Sequence, residues 1–379
     1  MLWNLYRLRL MNMKCLQSLK NTISYVIGVL LLLGCKRATS GDATAIVYPE
    51  DFRKHAVEIH GTQVHLDEEM IYANRFFVYD SLLIVRNNPK SQKNLIEIRN
   101  LHTMDLMKSF FSYGEGPEEF LLCQMSLNEN KLVLRDSMRD RFTFVNLDSI
   151  LHPDYKPVFI KYSGDYHEFA PYKSDSAVML NAYTYKNDKL GINIDVPRLN
   201  KASLKKTIVN PYKPSDFEVY PYNVTNGRIA VSESNSIILY ASAHTPNIEL
   251  FDNNLNLLKN IKVPDYYEDK IQVIKKEDAG VVFKEWLPYA TSAISIINNC
   301  FYLLYNGFYY ETEIPIEKNK DPKFFPLILK ISMDGKLQKV YHCDRYIFNM
   351  SIVENGKTAY LSGFDEDGNY ALYKYVLEK

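Results

Sequence analysis

Cysteine is scarce in this chain: Cys15, Cys35, Cys123, Cys300 and Cys343 are the only five in 379 residues. Three lie beyond Cys35, an odd number that excludes a complete disulfide framework and leaves room for one bridge. None stands in the CxxC grouping of a structural zinc site. Neither charge is in excess, with 45 Lys and Arg against 45 Asp and Glu, so nothing favours nucleic acid, whose binders carry a basic patch. No apolar run reaches the roughly 20 residues of a spanning helix. P-loop, dinucleotide fingerprint, HExxH and G-x-S-x-G motifs are all missing, which removes phosphate cradles and the standard hydrolase nucleophiles. Tryptophan is rare at 2 residues, whereas tyrosine is abundant at 29, and tyrosine suits half-buried pleated sheet.

The amino terminus carries an address. Arg7, Arg9, Lys14 and Lys20 form a basic segment without an acidic residue, and ISYVIGVLLLL at 23–33 is an apolar core. That length and those flanks are the pattern of a secretory signal peptide. LLGC at 32–35 resembles the bacterial lipobox, although Leu33 is larger than the small residue usual there. The resemblance implies cleavage after residue 34 and lipidation of Cys35; the alternative is an ordinary signal whose core ends in Cys. Without the four basic residues of the leader, positions 35–379 hold 41 basic against 45 acidic residues. Residues 35–54 read as lipidated Cys plus polar tether. Because Lys36 and Arg37 follow the Cys where an acidic export signal would stand, a periplasm-facing location is expected in preference to the outer surface.

Beyond residue 55 the chain repeats one grammar: a short β-branched or aromatic run, an Asx or Gly turn, then another run. FFVYDSLLIV at 76–85 breaks at Asp80-Ser81, and LILKIS turns at 333–336 into LQKVYH. Turn positions recur at intervals close to the 40–50 residues of propeller repeats, apart from one long gap that holds inserts near 266–288 and 308–325. The expected fold class is all-β: a six-bladed β-propeller of four-stranded antiparallel blades over 55–379, following a lipoprotein signal peptide at 1–34. The stretch 55–65 is expected to close the ring. Five or seven blades, or a pair of β-sandwich domains, are the alternatives. A short helix is expected around 267–277.

YGEGPEEF at 113–120, preceded by VYDSLLIV at 78–85 and LIEIRNLHTMDLMKSFF at 95–111, resembles a segment of the TolB-like six-bladed propeller lipoproteins of Bacteroidetes. The ending at 349–375 is similar to the closing blade of that family, and the Gly-rich segment also resembles the bend of NHL-type propellers. The resemblance implies fold and address, since the family is largely without an assigned activity. Physically, Gly114, Gly116 and Pro117 suit a tight bend between blades, and this structural role is the favoured one. The competing role makes Glu115, Glu118 and Glu119 an acidic rim at the channel that binds a ligand.

His55, His60 and His65 cannot converge along one strand because their spacing of five alternates faces, and Asp365–Asn369 reads as a hairpin turn in preference to a calcium loop. Tyr266, Tyr267 and Trp286 in the first insert are candidate recognition residues, since loops on rigid scaffolds often bind. The expected function is a membrane-anchored binding or scaffold module for a protein, peptide or glycan, with no cofactor, no metal and no nucleic-acid partner. The alternative is a carbohydrate- or lactone-acting hydrolase or lyase, with channel carboxylates and calcium assistance.

Overall fold

The computed structural model describes residues 44–66, 73–87, 94–161, 168–172, 176–186, 189–198, 201–209, 227–243, 246–264, 273–276, 280–283, 288–309 and 325–378. Cys35 lies outside them. The chain enters through three short strands, β1 (Thr44–Val47), β2 (Val57–Glu58) and β3 (Gly61–Val64), with a 3-10 turn at Phe52–His55. Up-and-down meanders follow. β4 (Ala73–Tyr79), β5 (Leu82–Asn87), β6 (Asn94–Asn100) and β7 (Leu106–Ser112) form the first sheet. β8 (Cys123–Asn128), β9 (Lys131–Asp136), β10 (Arg141–Asn146) and β11 (Val158–Lys161) form the second. β12 (Glu168–Tyr172), β13 (Ser176–Lys186), β14 (Lys189–Arg198) and β15 (Lys201–Val209) make the third.

The fourth contains β16 (Gly227–Ser232), β17 (Ile237–Ser242), β18 (Asn247–Asp252) and β19 (Leu257–Lys262). After a separate hairpin of β20 (Val273–Lys276) and β21 (Gly280–Phe283) comes the fifth, from β22 (Pro288–Ile297), β23 (Cys300–Tyr309), β24 (Leu327–Ser332) and β25 (Leu337–His342). The last combines β26 (Ile347–Val353), β27 (Thr358–Phe364) and β28 (Tyr370–Val376) with β3.

Two-residue turns shape the meanders where the chain supplies residues that tolerate left-handed backbone. Asp80 follows β4 at φ 51°, and Asn298 and Asn299 join β22 to β23 at 50° and 56°. These turns match the right-handed strand twist. Apolar side chains alternate between neighbouring sheets: Leu239, Leu250 and Ile261 pack with Phe301, Leu303 and Leu329, and Ile84 and Ile98 pack with Met125 and Leu134.

The ring closes as expected through the 55–65 stretch, since β3 pairs antiparallel with β28. Gly61 is required there because a Cβ would fall 2.5 Å from the Tyr375 ring. Asp344 latches the closure, accepting from Gly61 N at 3.2 Å and from the Tyr375 hydroxyl at 2.6 Å.

Six equivalent four-stranded antiparallel blades are not what the chain builds. Five sheets are regular blades that converge on one face. The sheet of β12–β15 differs from them: β13, β14 and β15 run to 11, 10 and 9 residues, and none of its described residues lines that face. Two of the five blades also gain a parallel fifth strand, β1 on β19 and β2 on β25. This use of the amino-terminal segment covers two outer edges that would otherwise offer unpaired backbone groups. It also corrects the tether boundary, because Thr44–Val47 belongs to the folded body. Of the helix expected at 267–277, Val273–Lys276 is instead strand β20, paired with Gly280–Phe283, and the rest lies outside the described residues. Cys123, Cys300 and Cys343 are all free and buried, so the one bridge they could have made is not formed. Burial pushes the Cys123 thiol up to about 12, which leaves it unreactive at neutral pH.

Candidate functional site

Inner strands β4, β8, β12, β16, β22 and β26 line a narrow channel, where Arg228 donates to Glu168 at 2.8 Å and to Ser292 O at 2.7 Å. At the carboxyl ends of five of them the channel widens into a cavity of about 1130 Å³. Its rim is made of the turns that follow β4, β8, β16, β22 and β26, together with Asp148 and Leu151 after β10. The β12–β15 sheet contributes no described residue to it.

Each blade is bridged to the next at this rim. The Tyr79 hydroxyl donates to Asp148 Oδ1 at 2.6 Å, Lys131 pairs with Glu233, and Asn235 Nδ2 donates to Asn299 Oδ1 at 2.7 Å. Asn298 Nδ2 donates to Asn355 O at 2.8 Å, and Val78 N to Ser351 Oγ at 3.0 Å. These five links run once around the mouth and tie its turns together. Deeper in the channel, Asn349 Nδ2 donates to Phe76 O at 2.6 Å and Asn128 Nδ2 to Val231 O at 2.6 Å. Asp80, Glu129, Ser236, Asn298, Asn299 and Asn355 all have positive φ. For Glu129 and Ser236, which lack the local preference of Asn and Asp, that conformation is uncommon and carries strain.

The electrostatics are one-sided. Asp80, Glu129 and Asp148 line the mouth, and no Lys, Arg or His does so among the described residues. Hydrogen bonds from Tyr79 and Asn130 hold the Asp148 carboxyl below the usual carboxylate range. Partial burial, then the charge of Glu233, moves Glu129 the other way and favours its proton. Around them stand apolar walls that include Leu127, Ile294, Ile296, Met350 and Ile352.

The acidic residues singled out in the sequence lie elsewhere. Glu115, Glu118 and Glu119 occupy the β7–β8 connection, at the opposite end of β8 from the cavity, and none lines it. Glu115 and Glu118 are exposed, while Glu119 turns inward and organises the bend. Its Oε2 accepts from Gly116 N at 2.6 Å and its Oε1 from the Ser112 hydroxyl at 3.2 Å. A Cβ at Gly114 would lie 2.1 Å from Glu119 Oε2, so the glycine is needed to admit this carboxylate. Glu119→Ala is expected to cost about 1–2 kcal/mol, the range for stranding hydrogen-bonded partners, whereas Glu115→Ala and Glu118→Ala stay within about 0.5 kcal/mol. Urea unfolding of the three variants checks this; equal losses would remove the structural role of Glu119.

Tyr266, Tyr267 and Trp286 lie outside the described residues. Among the described residues no group of three His, Cys, Asp or Glu side chains is placed to hold a metal ion. Asp365 closes a hairpin turn, its Oδ1 accepting from Asp367 N at 3.0 Å and Asn369 N at 2.8 Å. The mouth residues form no contiguous motif because each blade supplies only a short turn segment. The visible signal was the recurrence of Asp, Asn, Ser or Glu at the turn after each inner strand.

Among the described residues, no helix is long and apolar enough to cross a membrane. No protein-family model matches the chain, and no curated protein matches it. It is similar to the structure of a DUF4221 family member from Bacteroides vulgatus at 12% identity, over 84% of this chain and 98% of that one, with a TM-score of 0.48. It is also similar to a Bacteroides fragilis protein described as exported, at 9% identity, over 89% of this chain and 100% of that one, again with a TM-score of 0.48. The β-propeller is established by the strand pairings above, and these likenesses add neither site nor activity to it.

Proposed function

We propose that the chain is an exported, lipid-anchored propeller that binds a ligand in the mouth of its channel. The carrying observation is the cavity of about 1130 Å³ with its closed ring of blade-to-blade bridges. It is slightly larger than the roughly 300–1,000 Å³ of small-ligand pockets, which are largely preformed, apolar and furnished with a few placed polar groups. Rigid turn tips on a propeller meet that description, because ordering costs are met in folding and not on binding. Native mass spectrometry of the chain released from its envelope in mild detergent tests the reading. A retained species present in the wild type and absent from Ser234→Trp, which fills the mouth, supports it; retention by both would oppose it.

Anchoring rests on LLGC at 32–35 with its basic and apolar leader. Acyl chains stabilise membrane attachment by about 0.8 kcal/mol per buried CH₂. Cys35→Ser is therefore expected to move the chain from the membrane to the soluble fraction of a fractionated envelope. A variant that stays with the membrane would show that Cys35 is not the anchor. The hydrolase or lyase reading gains no specific observation from the mouth.

A further inference from the structure

We propose that the mouth receives the cationic end of its ligand: an ammonium or guanidinium group on an apolar stem, as in a Lys or Arg side chain. This rests on the mouth being the binding site.

Among the described residues, the charged side chains that line the cavity are Asp80, Glu129 and Asp148, all acidic. Lys131 pairs with Glu233, and its charge also acts on Glu129, against the burial and the Glu233 charge that favour the Glu129 proton. Asp148 takes both of its hydrogen bonds from neutral donors, the Tyr79 hydroxyl and the Asn130 amide at 2.5 Å, so its charge is fixed in place and left uncancelled. The carboxylates of Asp80 and Glu129 make no hydrogen bond or ion pair among the described residues, and both sit on left-handed turn residues held at the rim. An anionic ligand would meet three like charges, and potentials of one sign in a cleft with low-dielectric walls are focused. In the same lining, the half-buried Leu127, Ile294 and Ile296 offer surface for a methylene stem. Among the described residues, aromatic lining is limited to Phe77, which is buried, and Tyr79, whose hydroxyl is bound to Asp148. A broad stacking platform for a neutral sugar is therefore not what the described walls present. A cation arriving beside Glu129 adds to the pull of Lys131 and opposes the burial and the Glu233 repulsion that favour the Glu129 proton. Binding should thus release a proton and strengthen as pH rises.

The test uses the full chain in detergent and a labelled five-residue peptide with one central lysine. Its glutamine and glutamate counterparts and free spermidine complete the set. Fluorescence anisotropy at low salt is expected to show the lysine peptide binding at least tenfold tighter than the glutamine peptide. That preference should shrink in high salt, weaken as pH falls, and vanish in Asp80→Asn/Glu129→Gln/Asp148→Asn. Glu118→Gln, at the far end of β8, should leave it unchanged. If the triple variant fails to fold, Asp80→Asn alone, at an exposed turn, should still cost at least threefold. Competition by spermidine at concentrations similar to the lysine peptide would assign a free amine, and a large advantage for the peptide would assign a peptide; both support a cation site. Equal binding of lysine, glutamine and glutamate peptides, blocked by Ser234→Trp, overturns the charge assignment and leaves the mouth as a binding site. Lysine-peptide binding that survives both the triple variant and Ser234→Trp overturns the mouth reading as well. Absence of any lysine or spermidine binding also overturns the inference.

Discussion

Replacing Asp136 by alanine is expected to cost the fold about 3–5 kcal/mol, the range for removing one partner of a buried charged network. Asp136 is 0% exposed at the end of β9. Its carboxylate accepts from Leu121 N at 3.0 Å, Leu122 N at 3.3 Å and Met138 N at 3.2 Å, and faces Arg139 and Arg141 at 3.9 and 3.8 Å. The two arginines in turn donate to the carbonyls of the Gly114–Glu119 bend, Arg139 to Gly114, Gly116 and Glu119, and Arg141 to Pro117 and Glu119. One carboxylate therefore anchors the connection between the first two blades. Its loss strands three backbone donors and two cations, whereas Asp136→Asn keeps one acceptor oxygen and should cost roughly half as much. Urea midpoints at unchanged slope measure both. A loss under 1 kcal/mol for Asp136→Ala would show that the bend is held by other contacts.

Glu249→Gln is expected to do the opposite at high pH and stabilise the protein. Glu249 lies on β18, is 7% exposed, and its Oε2 has no hydrogen-bond partner among the described residues. Burial pushes its carboxyl up to about 7 from 4.5. Below about pH 4.5 both folded and unfolded chains hold the proton, and the group costs nothing. Between about 4.5 and 7 the unfolded chain releases it while the folded chain keeps it, so stability falls as pH rises. Above about 7 the full penalty is present, on the order of 3 kcal/mol from 1.36 kcal/mol per pKa unit. Glu249→Gln should then match the wild type near pH 4 and exceed it by up to about 3 kcal/mol at pH 8. Parallel stability curves would mean that Glu249 ionises normally in the folded state.

The sequence was most legible where strand and turn chemistry agree. VYDSLLIV contains both strands and the Asp80-Ser81 turn that joins β4 to β5, and Met333–Lys336 joins β24 to β25 as read. The parallel strands β1 and β2 were not legible, because four and two residues carry no period and their partners lie far along the chain. For the same reason the sequence suggests helix across Val273–Lys276: an isolated hairpin leaves too short an apolar pattern to separate the two periods. Equal repeat spacing concealed the unequal third sheet, since long strands and loops can occupy the same number of residues. In the GEGPEEF bend Glu119 accepts from Gly116 N and Ser112, and Asp136, which secures the bend, carries no sequence signal because it meets the bend only when the chain folds back. The mouth had no contiguous motif at all. Its acidic and amide groups come from positions between Asp80 and Asn355, brought together only by ring closure.

The mouth's role is tested most directly by placing a photo-cross-linking residue at Ser234, on the rim, and a second at Met138, on the exposed turn after β9, in the intact envelope. The account predicts a discrete adduct from Ser234 that disappears when Asp80, Glu129 and Asp148 are neutralised, and none from Met138. Adducts from Met138 alone would place recognition on the opposite face and contradict it.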